Sequence, residues 1–289
     1  MELQFSKMHG LGNDFMVIDL VTQSLDLEPQ QIQQWADRHE GIGFDQLLVV
    51  EPPSDPNIDF RYRIYNADGS EAEQCGNGAR CFAKFVVDTG LTQKQTLTLE
   101  TNTGRISTIR HNDNKIEVNM GQPKWQPEQI PFQADNPSLT YSLRINEDEQ
   151  RGVEGGVEGG MEIEITPINI GNPHAVIYVE NITEAPVEEW GSQITRHPRF
   201  PEGVNVGFCQ VIDRNFVRLR VFERGVGETR ACGSGACAAV VAGILHDKLD
   251  NRVKVSLPGG KVRIVWQAED AAVKMTGPAA LTYQGHIQL

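Results

Sequence analysis

The pentapeptide Cys75-Gly-Asn-Gly-Ala79 returns in the same chain as Cys232-Gly-Ser-Gly-Ala236, at an interval of 157 residues. At that interval Arg61-Tyr-Arg-Ile-Tyr65 also matches Arg218-Leu-Arg-Val-Phe222. Upstream and downstream matches keep their order while the interval drifts by a few residues: Gly12-Asn13 with Gly171-Asn172, and Met120 and Pro123 with Met275 and Pro278. Several matches in register indicate one duplicated unit with small insertions and deletions. We therefore expect two homologous halves, at about residues 1–120 and 162–278.

Composition narrows the class of protein. The chain has 289 residues, of which 39% are hydrophobic and 22% charged, so it can bury cores and is neither disordered nor collagen-like. Its formal net charge of −13 disfavours binding to phosphate backbones, and we expect no nucleic-acid partner. The N-terminal residues have no apolar core typical of a signal peptide. The longest uncharged apolar run, Ala236–Leu245, is too short to cross a bilayer. A cytoplasmic protein with no membrane partner is the expectation.

Local patterns predict mainly strands with one long helix in each half. Alternating apolar and polar residues, typical of strands buried on one face, occur at 97–100, 115–118, 253–256 and 262–265. Apolar runs at 46–50 and 208–212 are also typical of strands. The Ala-rich segments 79–88 and 236–245 are long enough for helices, and the second is apolar nearly all round, which indicates a buried helix.

Cys75 and Cys232 each precede Gly-x-Gly-Ala at the start of a predicted helix. A helix N-terminus lowers the pKa of a thiol, because the helix dipole and the free amides favour the thiolate. The glycines allow the amides of Gly76, Asn77, Gly233 and Ser234 to approach a ligand, which suits a carboxylate. One such cysteine is usually structural, whereas two at equivalent positions favour chemistry.

Other interpretations of the cysteines are weaker. Their spacings do not suit zinc, and neither a dinucleotide fingerprint nor a Walker pattern is complete, so we expect neither a metal nor a cofactor. An odd total of five and the lack of a secretory signal predict free thiols. Cys81 and Cys237 lie inside the predicted helices and are most simply core residues.

Two thiols from facing halves would reach one carbon from opposite sides. Inversion of a stereocentre needs that arrangement, because one thiolate removes a proton and the opposite thiol returns one. The two amide nests would hold a carboxylate and spread the developing carbanion charge.

The chain resembles the diaminopimelate epimerase family from end to end. The resemblance rests on seven segments: Met8–Phe15, Asn66–Ser70, Glu73–Cys81, Gly171–His174, Val204–Val206, Glu223-Arg224 and Ala231–Cys237. It implies an α/β (α+β) fold of two pseudo-symmetric homologous domains, each a mixed, mostly antiparallel sheet curled around a central helix. The last strand returns to the first domain, so the N-terminal half comprises 1–121 plus 279–289 and the C-terminal half 122–278. The active site would be the cleft between them.

The resemblance also implies roles for individual residues and an activity. The activity is cofactor-independent interconversion of LL- and meso-2,6-diaminopimelate, in lysine and cell-wall precursor biosynthesis, by an isomerase that forms a homodimer with Tyr283 at the dimer contact. Cys75 and Cys232 are the implied acid/base pair, and His174 and Glu223 support catalysis, although a hydrogen-bonded core position is the simpler interpretation of His174 from its residue type. The implied substrate-binding residues, for a small diamino diacid, are Asn13, Gln46, Asn66, Gly76, Asn77, Asn172, Asn205, Glu223, Arg224, Gly233 and Ser234.

Three alternatives stay open at this stage. A related cofactor-free racemase could act on a smaller amino acid such as proline, hydroxyproline or glutamate. A thiol redox protein or sensor is weakened by the lack of Cys-x-x-Cys, and a non-catalytic binder of amino diacids would keep the nests alone. The Gly/Glu-rich insert at 152–160 departs from the family pattern and is assigned no role.

Overall fold

The computed structural model describes residues 2–72, 75–146 and 160–288. Most of the insert, residues 152–159, lies outside them. The chain forms two compact units, one of residues 1–120 and 274–289 and the other of residues 121–273. Within the described ranges, no helix has the length and apolar character needed to cross a membrane.

The first unit is a mixed sheet with two helices. Its elements before the chain enters the second unit are β1 (Glu2–Gly10), β2 (Asn13–Asp19), α1 (Pro29–Ala36), β3 (Gln46–Glu51), β4 (Phe60–Asn66), β5 (Glu71–Ala72), α2 (Gly76–Asp88), β6 (Thr96–Thr101), β7 (Gly104–Arg110) and β8 (Ile116–Asn119). The pairs β2–β3 and β4–β6 are parallel. The remaining pairs along the sheet, β1–β2, β3–β4, β4–β5, β6–β7 and β7–β8, are antiparallel.

The second unit repeats this plan. After a short 3-10 turn at Pro127–Gln129, its elements are β9 (Tyr141–Ile145), β10 (Met161–Asn169), β11 (Pro173–Tyr178), α3 (Val187–Ile194), β12 (Asn205–Asp213), β13 (Phe216–Glu223), β14 (Gly227–Thr229), α4 (Gly233–Leu245), β15 (Arg252–Leu257) and β16 (Gly260–Val265). Here β11–β12 and β13–β15 are parallel. The pairs β9–β10, β10–β11, β12–β13, β13–β14 and β15–β16 are antiparallel.

The chain then returns to the first unit with β17 (Lys274–Gly277) and β18 (Ala280–Gln288). Strand β17 pairs with β8, and β18 pairs with β1, both antiparallel. In the β1–β18 pair, Glu2 lies opposite Gln288.

The order and direction of the strands from β1 to β7 match those from β10 to β16. Each series has an eight-residue helix after its second strand and a thirteen-residue helix before its last hairpin. The predicted mixed α/β fold with one central helix in each half is therefore confirmed. The structure adds α1 and α3, which the sequence patterns did not predict.

The sheet of the first unit carries α1 on one face and α2 on the other. Leu47 and Val49 of β3 belong to the apolar cluster that contains Ile32 and Trp35 of α1. Leu48 between them lies on the opposite face, because side chains alternate along a strand, and it is a near neighbour of Gly78 in α2. Helix α2 therefore packs on the face of the sheet that carries Leu48, and this contact fixes its first turn.

Helix α4 is more deeply buried than α2. Its residues from Ala236 to Ala242 are fully buried, as its uniformly apolar sequence predicts. Apolar side chains of α3, among them Val187 and Ile194, pack instead in a separate cluster with Val206 and Phe208 of β12.

Candidate active site

Cys75 is the N-cap of α2. Its backbone is extended, and its Sγ accepts a hydrogen bond from the N–H of Gly78 at 3.5 Å. The thiol also donates to Oδ1 of Asn13 at 3.6 Å, and its carbonyl oxygen accepts a bond from the hydroxyl of Tyr62 at 3.3 Å. The side chain is partly exposed. Cys75 therefore sits at the point where the free amides of the helix begin.

Asn13 and Asn77 form an amide pair beside this thiol. The Nδ2 group of Asn77 donates to Oδ1 of Asn13 at 3.3 Å, and Nδ2 of Asn13 donates to Asp45 Oδ2 at 3.0 Å. Asn13 is the first residue of β2, and Asn77 is the second residue of α2. The structure thus brings together three of the predicted site residues, Cys75, Asn13 and Asn77.

Gln46 and Asn66 form a second amide pair of the first unit. They are directly opposite in the antiparallel β3–β4 register, and Nε2 of Gln46 donates to Oδ1 of Asn66 at 3.0 Å. Asn66 in turn donates to Oγ of Ser70 at 3.1 Å. These contacts fix the orientation of both amides without adding charge.

The glycines after Cys75 are required by packing. A Cβ on Gly78 would lie 2.4 Å from the Tyr62 hydroxyl, and one on Gly76 would lie 2.6 Å from the terminal carbon of Met275. Both distances are shorter than real Cβ contacts, although the flexible end of Met275 can move aside more easily than the buried Tyr62 ring. The glycines therefore bring the first turn of α2 down onto the sheet and leave its amides in place around Cys75.

Cys232 is the N-cap of α4, and its thiol is buried. Its Sγ donates to Oε2 of Glu223 at 3.2 Å, while the hydroxyl of Thr229 donates to the other carboxylate oxygen. The hydroxyl of Ser234 lies 3.7 Å from the same sulfur. Gly233 and Ser234 are the first two residues of the helix, equivalent to Gly76 and Asn77.

The pKa of Cys232 is raised well above its ordinary value, first by burial and then by the negative charge of Glu223. A hydrogen bond from the Gly235 N–H acts in the opposite direction and is outweighed. The sequence-based expectation of a lowered pKa is therefore wrong for this thiol. Removing a thiolate from water costs more free energy than the dipole and the amides of one helix N-terminus supply.

His174 is a fully buried residue of β11. Its Nε2 lies 3.0 Å from Oδ1 of Asn172, and its Nδ1 has no hydrogen-bond partner among the described residues. Burial lowers the pKa of the imidazole to about 3, and the nearby positive charge of Arg224 acts in the same direction. The ring is consequently neutral, and Asn172 fixes the proton on Nε2, since the amide oxygen can act only as an acceptor.

Asn205 connects His174's strand to the end of β13. It is the first residue of β12, directly opposite His174 in the parallel register. Its Nδ2 donates to the carbonyl of Pro173 at 3.1 Å, and its Oδ1 accepts from the backbone N–H of Arg224 at 3.0 Å. The guanidinium of Arg224 donates to the carbonyl of Glu202.

The predicted site residues thus form several local networks. Asn13 bonds to Cys75 and to Asn77, and Glu223 and Ser234 lie beside Cys232. The pair of Gln46 and Asn66, the pair of Asn172 and His174, and the bond of Asn205 to the Arg224 N–H are networks of their own. Tyr283 stands apart, because it lies on β18, where it is exposed and packs edge-on against Phe5 at 6.0 Å between ring centroids. All five cysteines are free thiols, and Cys81 and Cys237 are fully buried, as predicted. No cluster of His, Cys, Asp or Glu suited to a metal ion occurs within residues 2–72, 75–146 and 160–288.

Sequence reasoning missed Arg80. This arginine is fully buried in α2, although arginine is rarely buried, and it bonds to Asn77. The repeat carried a usable signal, because the position equivalent to Arg80 is occupied by the small apolar Cys237. Arg80 and Cys237 occupy equivalent core positions but differ in charge. This difference indicates that the two positions have different roles.

Comparison with solved structures supports the fold. A hydroxyproline epimerase from Agrobacterium vitis superposes with a TM-score of 0.67, with 99% of this chain and 92% of that chain covered at 14% identity. A phenazine biosynthesis protein of the PhzF family from Bacillus anthracis gives a TM-score of 0.66, with both chains fully covered at 15% identity. At such low identity these matches establish the two-domain fold alone.

Comparison of sequences is more specific. The family model for diaminopimelate epimerase matches residues 5–126 and 166–282. The diaminopimelate epimerase of Azotobacter vinelandii is 55% identical over 289 residues, and those of Ectopseudomonas mendocina and Pseudomonas aeruginosa are 53% and 51% identical. Each of these matches covers 100% of both chains. The chain therefore belongs to the diaminopimelate epimerase family, a family of isomerases.

Proposed function

We propose that this chain interconverts LL- and meso-2,6-diaminopimelate by moving a proton at one α-carbon, with Cys75 and Cys232 as the two bases. The observation that carries the proposal is the equivalent placement of the two thiols, each as N-cap of a buried thirteen-residue helix. Inversion needs one proton-transfer group for each face of the α-carbon, and each half of the chain supplies one.

The two thiols differ in ways that suit a donor and an acceptor. Cys232 donates a hydrogen bond to Glu223, and its raised pKa keeps it a neutral thiol at pH 7. Cys75 is partly exposed, accepts a bond from the Gly78 N–H, and donates to the neutral amide oxygen of Asn13 where Cys232 donates to a carboxylate. We therefore assign Cys75 as the base and Cys232 as the acid for the turnover that starts from the substrate-free enzyme. The roles exchange in the reverse direction.

The site must also bind the charged groups of the substrate. The amides of the first turns, at Gly76 and Asn77 and at Gly233 and Ser234, offer donors to the carboxylate of the reacting centre and to the carbanion that forms there. Arg224 supplies a planar pair of donors for the distal carboxylate. The side-chain amides of Asn13, Gln46, Asn66, Asn172 and Asn205 orient the remaining polar groups, and the neutral His174 and the anionic Glu223 face the substrate ammonium.

The reaction needs no external electron sink or metal in this scheme, so the proposed enzyme is cofactor-independent. We propose further that it works in lysine and cell-wall precursor biosynthesis in the cytoplasm, and that domains of residues 1–121 plus 279–289 and 122–278 are the homologous halves. A homodimer through Tyr283 completes the proposal. It is supported by the exposed Leu281 and Tyr283 on β18, the strand that pairs with β1.

Proton NMR of LL-diaminopimelate in D2O, with fully reduced protein and no added cofactor, tests the function. We expect deuterium at the α-carbon together with the meso isomer. Proline, hydroxyproline and glutamate under the same conditions should stay unlabelled. Label in one of those instead would identify a racemase of different specificity, and no label in any of them, from folded and reduced protein, would contradict the proposed activity.

A further inference from the structure

The guanidinium of Arg80 is buried in the first unit. It is a fully buried side chain of α2, and its bonds within the first unit include three to oxygen acceptors. Nη2 donates to Oδ1 of Asn77 at 2.9 Å, Nε donates to the carbonyl of Pro278 at 3.1 Å, and Nη1 donates to the carbonyl of Gly76 at 3.4 Å. Two of these acceptors belong to the turn that follows Cys75.

The contact with Asn77 determines how its amide is oriented. An arginine side chain can only donate hydrogen bonds, so the amide group facing Arg80 must be the oxygen. The NH2 group of Asn77 is then directed to Asn13, whose oxygen accepts it at 3.3 Å. That same oxygen accepts the bond from the Cys75 thiol.

The other end of this amide chain is fixed as well. A carboxylate can only accept, so Asp45 must face the NH2 group of Asn13, which donates to it at 3.0 Å. Arg80 can only donate at one end of this series of hydrogen bonds, and Asp45 can only accept at the other end. The hydrogen bonds from Arg80 through Asn77 and Asn13 to Asp45 can therefore run in one direction only. Neither asparagine can rotate by 180° without losing its bond at both sides.

The second half has no arginine at the equivalent position. There Asn77 is replaced by Ser234 and Arg80 by Cys237, and the thiol of Cys232 is directed instead to the carboxylate of Glu223. The two halves thus orient their cysteines by different means.

We propose that Arg80 is a positioning residue, which acts through Asn77 and Asn13 to hold the polarity of the hydrogen bonds around Cys75. Its relevance to catalysis rests on the proposed function, in which Cys75 and Asn77 contact the substrate. Its effect on Cys75 does not depend on that function, because the reactivity of a thiol is measurable without turnover.

Two variants test the proposal. Arg80→Lys keeps a positive charge but loses the planar set of donors, and Arg80→Met keeps most of the side-chain length without any donor. Val86→Ala, another fully buried position of α2, controls for general loosening of the helix. Circular dichroism and thermal unfolding establish which variants remain folded, and Arg80→Lys carries the test if Arg80→Met does not fold.

The first readout is the rate of iodoacetamide alkylation, measured for each cysteine by peptide mass spectrometry in the whole protein. We expect a several-fold change at Cys75 in Arg80→Lys, no change at Cys232, and no change at either thiol in Val86→Ala. An unchanged rate at Cys75, or an equal change at both cysteines, would overturn the positioning role even if the protein proves to be an active epimerase.

The second readout is a double-mutant cycle between Arg80→Lys and Asn77→Ala on kcat/KM. A displaced catalytic group costs up to about 100-fold in rate, and we expect most of the loss from Arg80→Lys to disappear in the Asn77→Ala background. Independent effects that multiply would show that Arg80 does not act through Asn77.

Discussion

The thiol of Cys232 lies 3.2 Å from Oε2 of Glu223 and donates a hydrogen bond to that carboxylate. This pair explains why burial at a helix N-terminus yields a protonated thiol here, since the adjacent anion adds to the cost of desolvation.

Replacing Glu223 by Gln should lower the pKa of Cys232, because the negative charge is removed while the packing is kept. We expect alkylation of Cys232 to begin at a lower pH than in the parent, and epimerisation to fall sharply. Peptide-resolved alkylation across a pH series measures the first effect. Glu228→Gln, which removes the carboxylate paired with Arg220 on the adjacent strand, is the control and should leave the Cys232 profile unchanged.

Cys75→Ala and Cys232→Ala should each reduce kcat by about 10²–10⁴-fold, the usual contribution of a general acid or base. Each variant should unfold at nearly the same temperature as the parent. Cys209→Ala is the matched control, because Cys209 is a fully buried thiol of β12 that takes no part in the proposed chemistry. Near-normal turnover in either active-site variant would rule out the two-base scheme.

His174 should make the protein less stable as the pH falls. Its folded pKa of about 3 lies below the unfolded value of 6.5, so the unfolded chain binds the extra proton first. The full stability is present above pH 6.5 and is lost progressively from there down to pH 3. Between pH 7.5 and 5.5 we expect a loss of about 1.4 kcal/mol in the free energy of unfolding relative to His174→Gln.

Urea unfolding of both proteins at the two pH values measures this difference. The other titrating groups are common to both proteins, so they cancel in the comparison. Equal pH dependence in the two proteins would mean that His174 titrates normally in the folded state.

Gly78→Ala should destabilise the first unit more than Gly235→Ala destabilises the second. The two positions are equivalent in the repeat, but the new Cβ would lie 2.4 Å from the Tyr62 hydroxyl in one case and 3.0 Å from a Val221 methyl in the other. Overpacking of this kind costs about 1–3 kcal/mol. Adding Tyr62→Phe should recover part of the loss at Gly78, and denaturant unfolding compares the variants.

Tyr283→Glu should convert the proposed dimer into a monomer, because it places a charge on the exposed apolar surface of β18. Light scattering coupled to size-exclusion chromatography gives the mass directly. Val226→Glu makes the same kind of change at an exposed apolar residue of the second unit and should leave the mass unaltered. A parent protein that is already monomeric would refute the dimer itself.

Much of the fold was predictable because duplication supplies an internal comparison. Strands with a strict period of two, such as 253–256, lie where they were predicted. The central helices begin three residues earlier than predicted, at Gly76 and Gly233, because glycine is a poor helix former and the sheet beneath, rather than propensity, holds those turns. Helices α1 and α3 are eight residues long, too short for a clear periodic signal.

The candidate site was less accessible to sequence reasoning wherever burial decides the chemistry. The cysteines and asparagines were predictable from their repetition and from the family resemblance. The protonation of Cys232 was not, since it depends on the depth at which α4 is buried and on the distance to Glu223. Arg80 lacks a motif of its own, and its importance emerges only from the acceptors that its side chain reaches.

The pairing of β1 with β18 affects the order in which the two units can fold during translation. The second unit is contiguous and is complete once residue 273 has left the ribosome, whereas the first unit, although synthesised first, still lacks β17 and β18 at that moment. Domains usually fold in the order of their synthesis. In this chain the first unit can be completed only after the second has been synthesised, and the β18 side of β1 stays unpaired until β18 has left the ribosome.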